Sequence, residues 1–185
     1  MKKSAQVHKK AASRKGFTLV ELLVVIAIIA ILAAVVVLII NPLELTRRGR
    51  DAARLTDLSN LQQAINVAVQ EATGSAATIL CSGGIAVPCE GVSTGARSSD
   101  GTGWVKVDMS TQNSVSVPTL PVDPINDLAT HYLYCSDGNA WEINAKLESE
   151  QQNDKMENDG GEDPALYEVG SSLGLILTSG GTCTY

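Results

Sequence analysis

The sequence predicts an α+β protein in which a long amino-terminal helix packs on a small antiparallel sheet. Three observations support this fold class: a 24-residue apolar run that begins at Phe17, a helical stripe of apolar residues that reaches Val69, and two alternating segments that flank Asp137-Gly138. We divide the chain into a leader, the membrane-spanning half of the helix, the second half of the helix and a β-rich globular head, at residues 1–16, 17–40, 41–73 and 74–185.

Charge is distributed unevenly along the chain. Residues 1–16 hold six basic side chains and no acidic one. The rest of the chain holds eight basic side chains against all 20 acidic ones, which is a side-chain net charge of −12. The strongly negative charge of residues 17–185 argues against nucleic acid as the main partner of their surface.

The apolar run from Phe17 to Ile40 is long enough to cross a bilayer as a helix of roughly 36 Å, at about 1.5 Å per residue. The basic leader keeps the amino terminus in the cytoplasm and sends the rest of the chain outward, even though four arginines follow the span. A secretory signal peptide is the alternative, but its apolar core is shorter and its cleavage site follows the core. We therefore expect a single-pass protein of the cytoplasmic membrane.

Glu21 is the one charged residue within this run. A carboxylate costs ~2–3 kcal/mol at the centre of a bilayer and less near its surface, so it is seldom kept without a partner. One interpretation is that Glu21 reaches up to the cytoplasmic surface. The other is that cleavage after Gly16 creates a positive amine on Phe17, which pairs with Glu21 in the same chain or in a neighbouring copy.

The segment KGFTLVELLVVIAIIAIL, at residues 15–32, resembles the amino-terminal signature of type IV pilins and pseudopilins. The resemblance implies that a prepilin peptidase and methyltransferase cuts after Gly16 and methylates Phe17, and that Glu21 aids assembly. It also implies a type IV pilin-like fold. The partners would be other pilin subunits in a homopolymeric filament and the assembly machinery of a pilus or of type II secretion. The protein would lie in the membrane first and in an extracellular filament afterwards.

Pro42 predicts a break in the helix, because it lacks a backbone donor and crowds the carbonyl of Leu38. Between Leu45 and Val69 apolar residues recur with a spacing of three or four residues, as on one face of a helix, so the helix is expected to resume after Pro42. We predict one long helix over 17–73 that is interrupted near Pro42. Its second half would pack on the head.

The basic cluster RRGR, at residues 47–50, has two interpretations. In the first, it forms a solvated face with local pairs such as Arg47 with Asp51 and Arg54 with Asp57. In the second, it contacts either neighbouring subunits or DNA. We favour the solvated face or the assembly contact.

The head begins with an irregular region over 74–103, which is rich in Gly, Ser, Thr and Ala. A short strand is predicted at WVKV, residues 104–107, and a hairpin at HYLYCSDGNAWEINAKL, residues 131–147. One face of the second hairpin strand would pack against the stripe of the helix, and YEVG and LGLILT would add an edge strand and a late strand. The segment over 120–149 also resembles the heads of bacterial pilins and major pseudopilins.

Four cysteines, at positions 81, 89, 135 and 183, allow three pairings. Export to an oxidising compartment makes disulfides plausible. We favour Cys81–Cys89, which closes a short loop, and Cys135–Cys183, which ties the carboxyl terminus to the hairpin. A cysteine metal site is disfavoured, because the chain has no CxxC motif and only His131 lies in the head.

The acidic segment NDKMENDGGED, at residues 153–163, suggests a cation site. Carboxylates on a flexible loop suit calcium, although the spacing differs from that of an EF-hand, and acidic loops are usually just solvated. Major pseudopilins that resemble this head often hold calcium in a carboxyl-terminal loop, which implies Asp154, Asp159 and Asp163 as candidate ligands. No cofactor is otherwise required.

No catalytic constellation appears in the sequence, so an enzyme is not expected. The leading hypothesis is a structural subunit of a type IV pilus or a pilus-like filament. A pseudopilin of type II secretion or of a DNA-uptake system is the alternative. A third hypothesis, from a different class, is a monomeric binding module or enzyme that keeps its leader and uses the helix only as a tether.

Overall fold

A computed structural model of the protein describes residues 16–111, 114, 117–177 and 182–185. The chain forms two compact units, one that ends at Pro42 and one that runs from Leu43 to Tyr185. The predicted leader over 1–16 lies outside the described residues, apart from Gly16.

The first unit contains helix α1, Leu19–Ile40. Its side chains are apolar on all sides rather than along one stripe, and those that the structure describes are all exposed. The helix ends at Ile40, and its C-cap, Asn41, has a left-handed φ of 41°, a conformation that asparagine tolerates better than most residues.

Helix α2 spans Pro42–Glu71. Pro42 is its first residue, where the missing backbone donor costs nothing because no partner exists for it within the helix. The predicted break therefore takes the form of one left-handed residue, Asn41, followed by a new helix that starts at the proline.

The buried face of α2 changes character along its length. The second half buries Leu58, Leu61, Ile65 and Ala68 of the predicted apolar stripe, together with Ala64, whereas Val69 is 36% exposed. The first half buries Glu44, Asp51 and Arg54 instead, while Leu45 is 60% exposed. The prediction that the apolar stripe starts at Leu45 is wrong, because charged groups of the head make the contacts there.

The head contains a four-stranded antiparallel sheet in the order β1-β2-β3-β4. The α+β fold class is thus confirmed. The strands are Cys89–Val92, Leu133–Ser136, Trp141–Ala145 and Tyr167–Gly170. The predicted hairpin is β2 and β3, and its turn uses Gly138 at a φ of 87° together with the Asp137 carboxylate, which accepts the N–H groups of Asn139 and Ala140.

Three local predictions for the head are wrong. The late strand expected at LGLILT does not form in its described residues, where Ile176 makes only an isolated bridge with Cys183. Residues 74–103, expected to be irregular, contain β1 and a short helix α3, Ala76–Leu80. The expected strand at 104–107 is a buried loop. Its backbone packs on β1 so closely that Gly91 has no room for a Cβ beside the Trp104 carbonyl, and the Trp104 indole donates to the Pro121 carbonyl at 3.0 Å.

The main core of the head lies between α2 and the inner face of the sheet, as predicted. Strand residues Tyr134, Trp141, Ile143 and Ala145 pack in one cluster with the apolar stripe of α2. The outer face of the sheet is covered by residues 171–177, which we call the strap, through Leu175 and Ile176. Between β3 and β4 the chain forms a 3₁₀ turn, Glu150–Gln152, and a short helix α4, Asn153–Glu157.

The structure contains two disulfides, Cys81–Cys89 and Cys135–Cys183, which are the pairs favoured from the sequence. Their Cα atoms lie 5.8 and 5.7 Å apart, within the usual range for a disulfide. The first closes the loop before β1. The second fastens the carboxyl-terminal segment to β2.

Candidate functional site

The predicted processing position, Gly16 and Phe17, is exposed to solvent in the structure. Gly16 is exposed, and Phe17 is 87% exposed. Helix α1 does not begin until Leu19. The bond between Gly16 and Phe17 therefore lies before the start of the helix, where no helical hydrogen bond needs to break for a protease to bind it.

Glu21 forms a capping box with Thr18 at the start of α1. Its Oε2 atom accepts the Thr18 backbone N–H at 2.8 Å and the Thr18 hydroxyl at 2.7 Å. In return the Thr18 hydroxyl accepts the Glu21 backbone N–H at 3.2 Å. The Glu21 carboxylate and the Thr18 hydroxyl thus each satisfy one backbone donor at the start of the helix, and the carboxylate lies at the positive end of the helix dipole.

Among the described residues, the hydrogen bonds to the Glu21 carboxylate come from the neutral donors of Thr18. Phe17 immediately precedes the cap residue. A charge on its nitrogen would lie one peptide unit from the group that Glu21 already contacts. The geometry can therefore accept a cation without rebuilding the helix start.

One helix in the described part of the chain is long and apolar enough to cross a membrane, and its candidate span is Leu19–Val37. None of that span is buried within the chain. Exposed fractions such as 79% for Leu19 and 66% for Ile31 mean that this surface needs lipid or other protein around it.

A family model described as the prokaryotic N-terminal methylation motif matches residues 12–37. The chain carries the type IV prepilin signature. This prepilin signature contains Gly16, Phe17 and Glu21 and ends within α1, so it does not extend into the head. No curated protein and no solved structure matches the chain significantly. The prepilin signature supports a subunit of the type IV pilin or pseudopilin type, anchored in a membrane by α1.

A buried ionic cluster fixes the first half of α2 to the loops of the head. Arg54 has no exposed surface, and its guanidinium binds both oxygens of Asp123, at 2.6 and 3.0 Å. The Nη1 atom of Arg54 also donates to Asp51 and to Glu148, both at 2.9 Å. Arg50 adds a second contact to Glu148 at 2.6 Å. These five side chains form the Arg54 cluster.

Hydrogen bonding compensates the burial of Arg54. Burial lowers the pKa of Arg54, but the hydrogen bonds to Asp123 and Glu148 outweigh it, and the pKa is raised overall. The carboxylate of Asp51, which is also fully buried, accepts the backbone N–H groups of Glu148 and Ser149 at 2.8 to 3.1 Å. Sequence spacing did not predict this cluster, because it pairs Arg54 with Asp57 and Arg47 with Asp51. Arg47 instead lies 3.9 Å from Glu44.

The three candidate calcium ligands do not converge. Asp154 is exposed on α4, whereas Asp163 is buried and accepts the Ala165 N–H at 2.9 Å. Both oxygens of Asp159 accept backbone N–H groups, from Gly161 and Glu168, at 2.8 Å. Among the described residues no group of three or more His, Cys, Asp or Glu side chains is arranged to hold a metal ion. Calcium binding stays a prediction.

Proposed function

We propose that this chain is a structural subunit of a type IV pilus or a pilus-like filament, rather than an enzyme. In this proposal a prepilin peptidase cleaves after Gly16 and methylates Phe17, and copies of α1 then pack together as the filament core. The observation that carries the proposal is the prepilin signature on a helix whose apolar surface is entirely unburied in the single chain.

The exposed surface of α1 explains why the subunit would have two stable environments. Because the helix is apolar on every side, lipid can surround it in the membrane and other copies can surround it in a filament. An amphipathic helix would instead favour one partner face. Copies that contact one another head to tail along a screw axis form an open polymer.

Glu21 supplies the step that makes assembly directional. Before cleavage its carboxylate caps its own helix through Thr18. Cleavage creates an ammonium group on Phe17, and the Glu21 of an adjoining copy can pair with it in the apolar interior. Such pairing removes two charges from lipid at once and sets the axial register between subunits.

The mature amino terminus tests this function directly. We expect mass spectrometry of the protein purified from the membrane to find a chain that begins at methylated Phe17, because the cleavage bond is exposed and carries the prepilin signature. A chain that retains Met1 would contradict the proposal and favour a tethered monomer. Deletion of the prepilin peptidase gene is the matched control and should leave the leader in place.

Pseudopilins of type II secretion or DNA uptake share the signature, so the alternative within this class concerns the task of the filament. Long surface filaments in electron micrographs would indicate a pilus. Short periplasm-spanning filaments, with loss of protein secretion or DNA uptake on deletion, would indicate a pseudopilin.

Calcium binding to the acidic loop is a separate proposal, and it requires the loop to rearrange around the ion. We expect calorimetric titration of the detergent-solubilised chain with calcium chloride to give binding that is weakened at least about tenfold in a variant with Asp159→Asn and Asp163→Asn. Glu90→Gln, on β1, is the control for loss of surface charge. Titration of the unmodified chain without measurable heat at several temperatures would rule the proposal out.

A further inference from the structure

The first turns of α2 expose apolar and basic side chains side by side. Leu43 and Leu45 are 58% and 60% exposed. The side chains of Arg47 and Arg48 are 40% and 48% exposed. We call residues 43–48 the basal segment. The head buries little of this segment except Glu44, so its leucines and arginines are open to a partner outside the head.

Two guanidinium groups of the basal segment share one carboxylate. A nitrogen of Arg47 lies 3.9 Å from the Glu44 carboxylate, and a nitrogen of Arg48 lies 3.4 Å from it. The same carboxylate also accepts the Glu150 backbone N–H at 3.1 Å. One negative charge thus faces two positive ones, and both distances are longer than the roughly 2.7–2.9 Å of a strong charge-assisted bond. The segment therefore keeps a net positive charge and N–H donors for another ligand.

The next two arginines of α2 are engaged within the head. Arg50 donates to Glu148 at 2.6 Å, and Arg54 is buried in the Arg54 cluster. Their charges are compensated by carboxylates at short distance. The arginines that can bind an external anion are therefore those of the basal segment, Arg47 and Arg48.

The chain itself limits what lies beside the basal segment. Ile40 ends the apolar helix α1, and Arg47 follows it by seven residues, which is about 10 Å along a helix. The headgroup layer adds about 5–8 Å to each side of the hydrocarbon core of a bilayer. An arginine side chain can reach back to that layer with its methylene groups against apolar surface. Leu43 and Leu45 are closer still to Ile40 along the chain, so the order of residues matches the order of acyl chains and phosphates.

The charge of the rest of the head makes this segment distinct. Residues 43–185 carry 19 acidic and eight basic side chains, a side-chain net charge of −11. An anionic bilayer repels such a surface. Half of the eight basic side chains nevertheless lie between residues 47 and 54, next to the candidate membrane span. Positive charge is thus concentrated where the chain leaves the membrane, which is the arrangement that attraction to lipid phosphate requires.

We propose that the basal segment is a lipid-binding surface that takes the phosphate groups of anionic lipids in the leaflet where α1 ends. The guanidinium groups of Arg47 and Arg48 donate to phosphate oxygens, whose geometry suits their fork of N–H donors. Leu43 and Leu45 contact the acyl chains beneath the phosphates. This contact holds an otherwise acidic head against the bilayer. The inference requires α1 to lie in a membrane, but it does not depend on filament assembly.

Lipid selectivity of the full chain tests this inference. The chain is placed in nanodiscs of equal phosphatidylglycerol and phosphatidylcholine, and native mass spectrometry counts the lipids that it retains. We expect the retained ratio of phosphatidylglycerol to phosphatidylcholine to fall at least about threefold in a variant with Arg47→Gln and Arg48→Gln, since one arginine near an anionic surface provides a preference of about fivefold. An unchanged ratio would overturn the proposal. The six basic side chains of the leader are present in both proteins and cancel in the comparison.

Two matched variants separate this contact from general charge effects. Lys155→Gln removes an exposed positive charge from α4, where Lys155 lines a cavity together with Gln62. Gln62 lies 14 residues beyond Arg48 on α2, about 21 Å along the helix, so this variant should keep the lipid ratio. A variant with Arg47→Lys and Arg48→Lys keeps both charges and should keep most of the preference. A fall in Lys155→Gln as large as in the arginine-to-glutamine variant would contradict the proposal.

Two further measurements distinguish a lipid from other occupants of the basal segment. Inorganic phosphate added at constant ionic strength should leave the lipid ratio unchanged, because the acyl chains hold the lipid in place. Loss of the preference in phosphate would identify a site for soluble anions and overturn the proposal. Sedimentation of the full chain in detergent covers the other case. If the arginine-to-glutamine variant altered self-association but not the lipid ratio, the occupant would be a second copy of the chain and the proposal would be wrong.

Discussion

Replacing Glu21 with alanine is expected to reduce the yield of assembled filaments at least about tenfold, while cleavage after Gly16 and membrane insertion continue. A tenfold effect corresponds to about 1.4 kcal/mol per subunit, which is modest for an ion pair in an apolar medium. Insertion should not suffer, because alanine is cheaper than a carboxylate in lipid. Quantitative immunoblotting of sheared filaments against the membrane fraction measures the yield.

The role of the charge can be separated from that of the helix cap. Glu21→Gln keeps a side-chain oxygen that can accept from Thr18, whose hydrogen bonds to the native carboxylate are 2.7 and 2.8 Å long. If pairing with the amine of a neighbour drives assembly, Glu21→Gln should be as defective as Glu21→Ala. Normal filament yield in Glu21→Gln would assign Glu21 to capping alone, and normal yield in Glu21→Ala would refute its assembly role.

Replacing Arg54 with methionine is expected to lower the free energy of unfolding of the head by about 3–5 kcal/mol. Methionine fills much of the same volume, but it leaves Asp51 and Asp123 buried without the cation that compensates them. Losing one partner of a buried ionic cluster costs far more than the cluster contributes as a whole. Urea unfolding, followed by the fluorescence of the buried Trp104 and Trp141, measures the change.

Arg48→Met is the matched control for this experiment. Arg48 lies on the same helix, and its side chain is 48% exposed and 3.4 Å from Glu44, so its loss should cost less than about 1 kcal/mol. Arg54→Lys should fall between the two, because an ammonium group keeps the charge but cannot bind both oxygens of Asp123 as the guanidinium does. An unfolding free energy of Arg54→Met equal to that of Arg48→Met would contradict the structural role of the cluster.

Features that depend on neighbours in the chain were predictable. The membrane span needs only consecutive apolar residues, and the prepilin signature needs Gly16, Phe17 and Glu21 in fixed register before them. The β2–β3 hairpin follows from alternation on either side of Asp137-Gly138. In each case the cause is local, either transfer of a segment into lipid or the turn preference of a dipeptide.

Features that depend on distant neighbours were not predictable in this way. Leu45 was assigned to the buried stripe because of its spacing, yet the first half of α2 buries Arg54 instead, because Asp123 and Glu148 come to it from 69 and 94 residues away. Strand β1 was hidden in a segment rich in Gly and Ser, since its pairing partner β2 begins at Leu133.

Residue order alone was therefore enough to predict the fold class, which the structure confirms, and to reveal the prepilin signature on a helix long and apolar enough to cross a membrane. The pairing of Arg54 with three carboxylates arose only when the chain had folded. The physical reason is that removing a charge from water is costly, so the partner of a buried charge is whichever group the packing brings to it, and sequence spacing does not encode that choice.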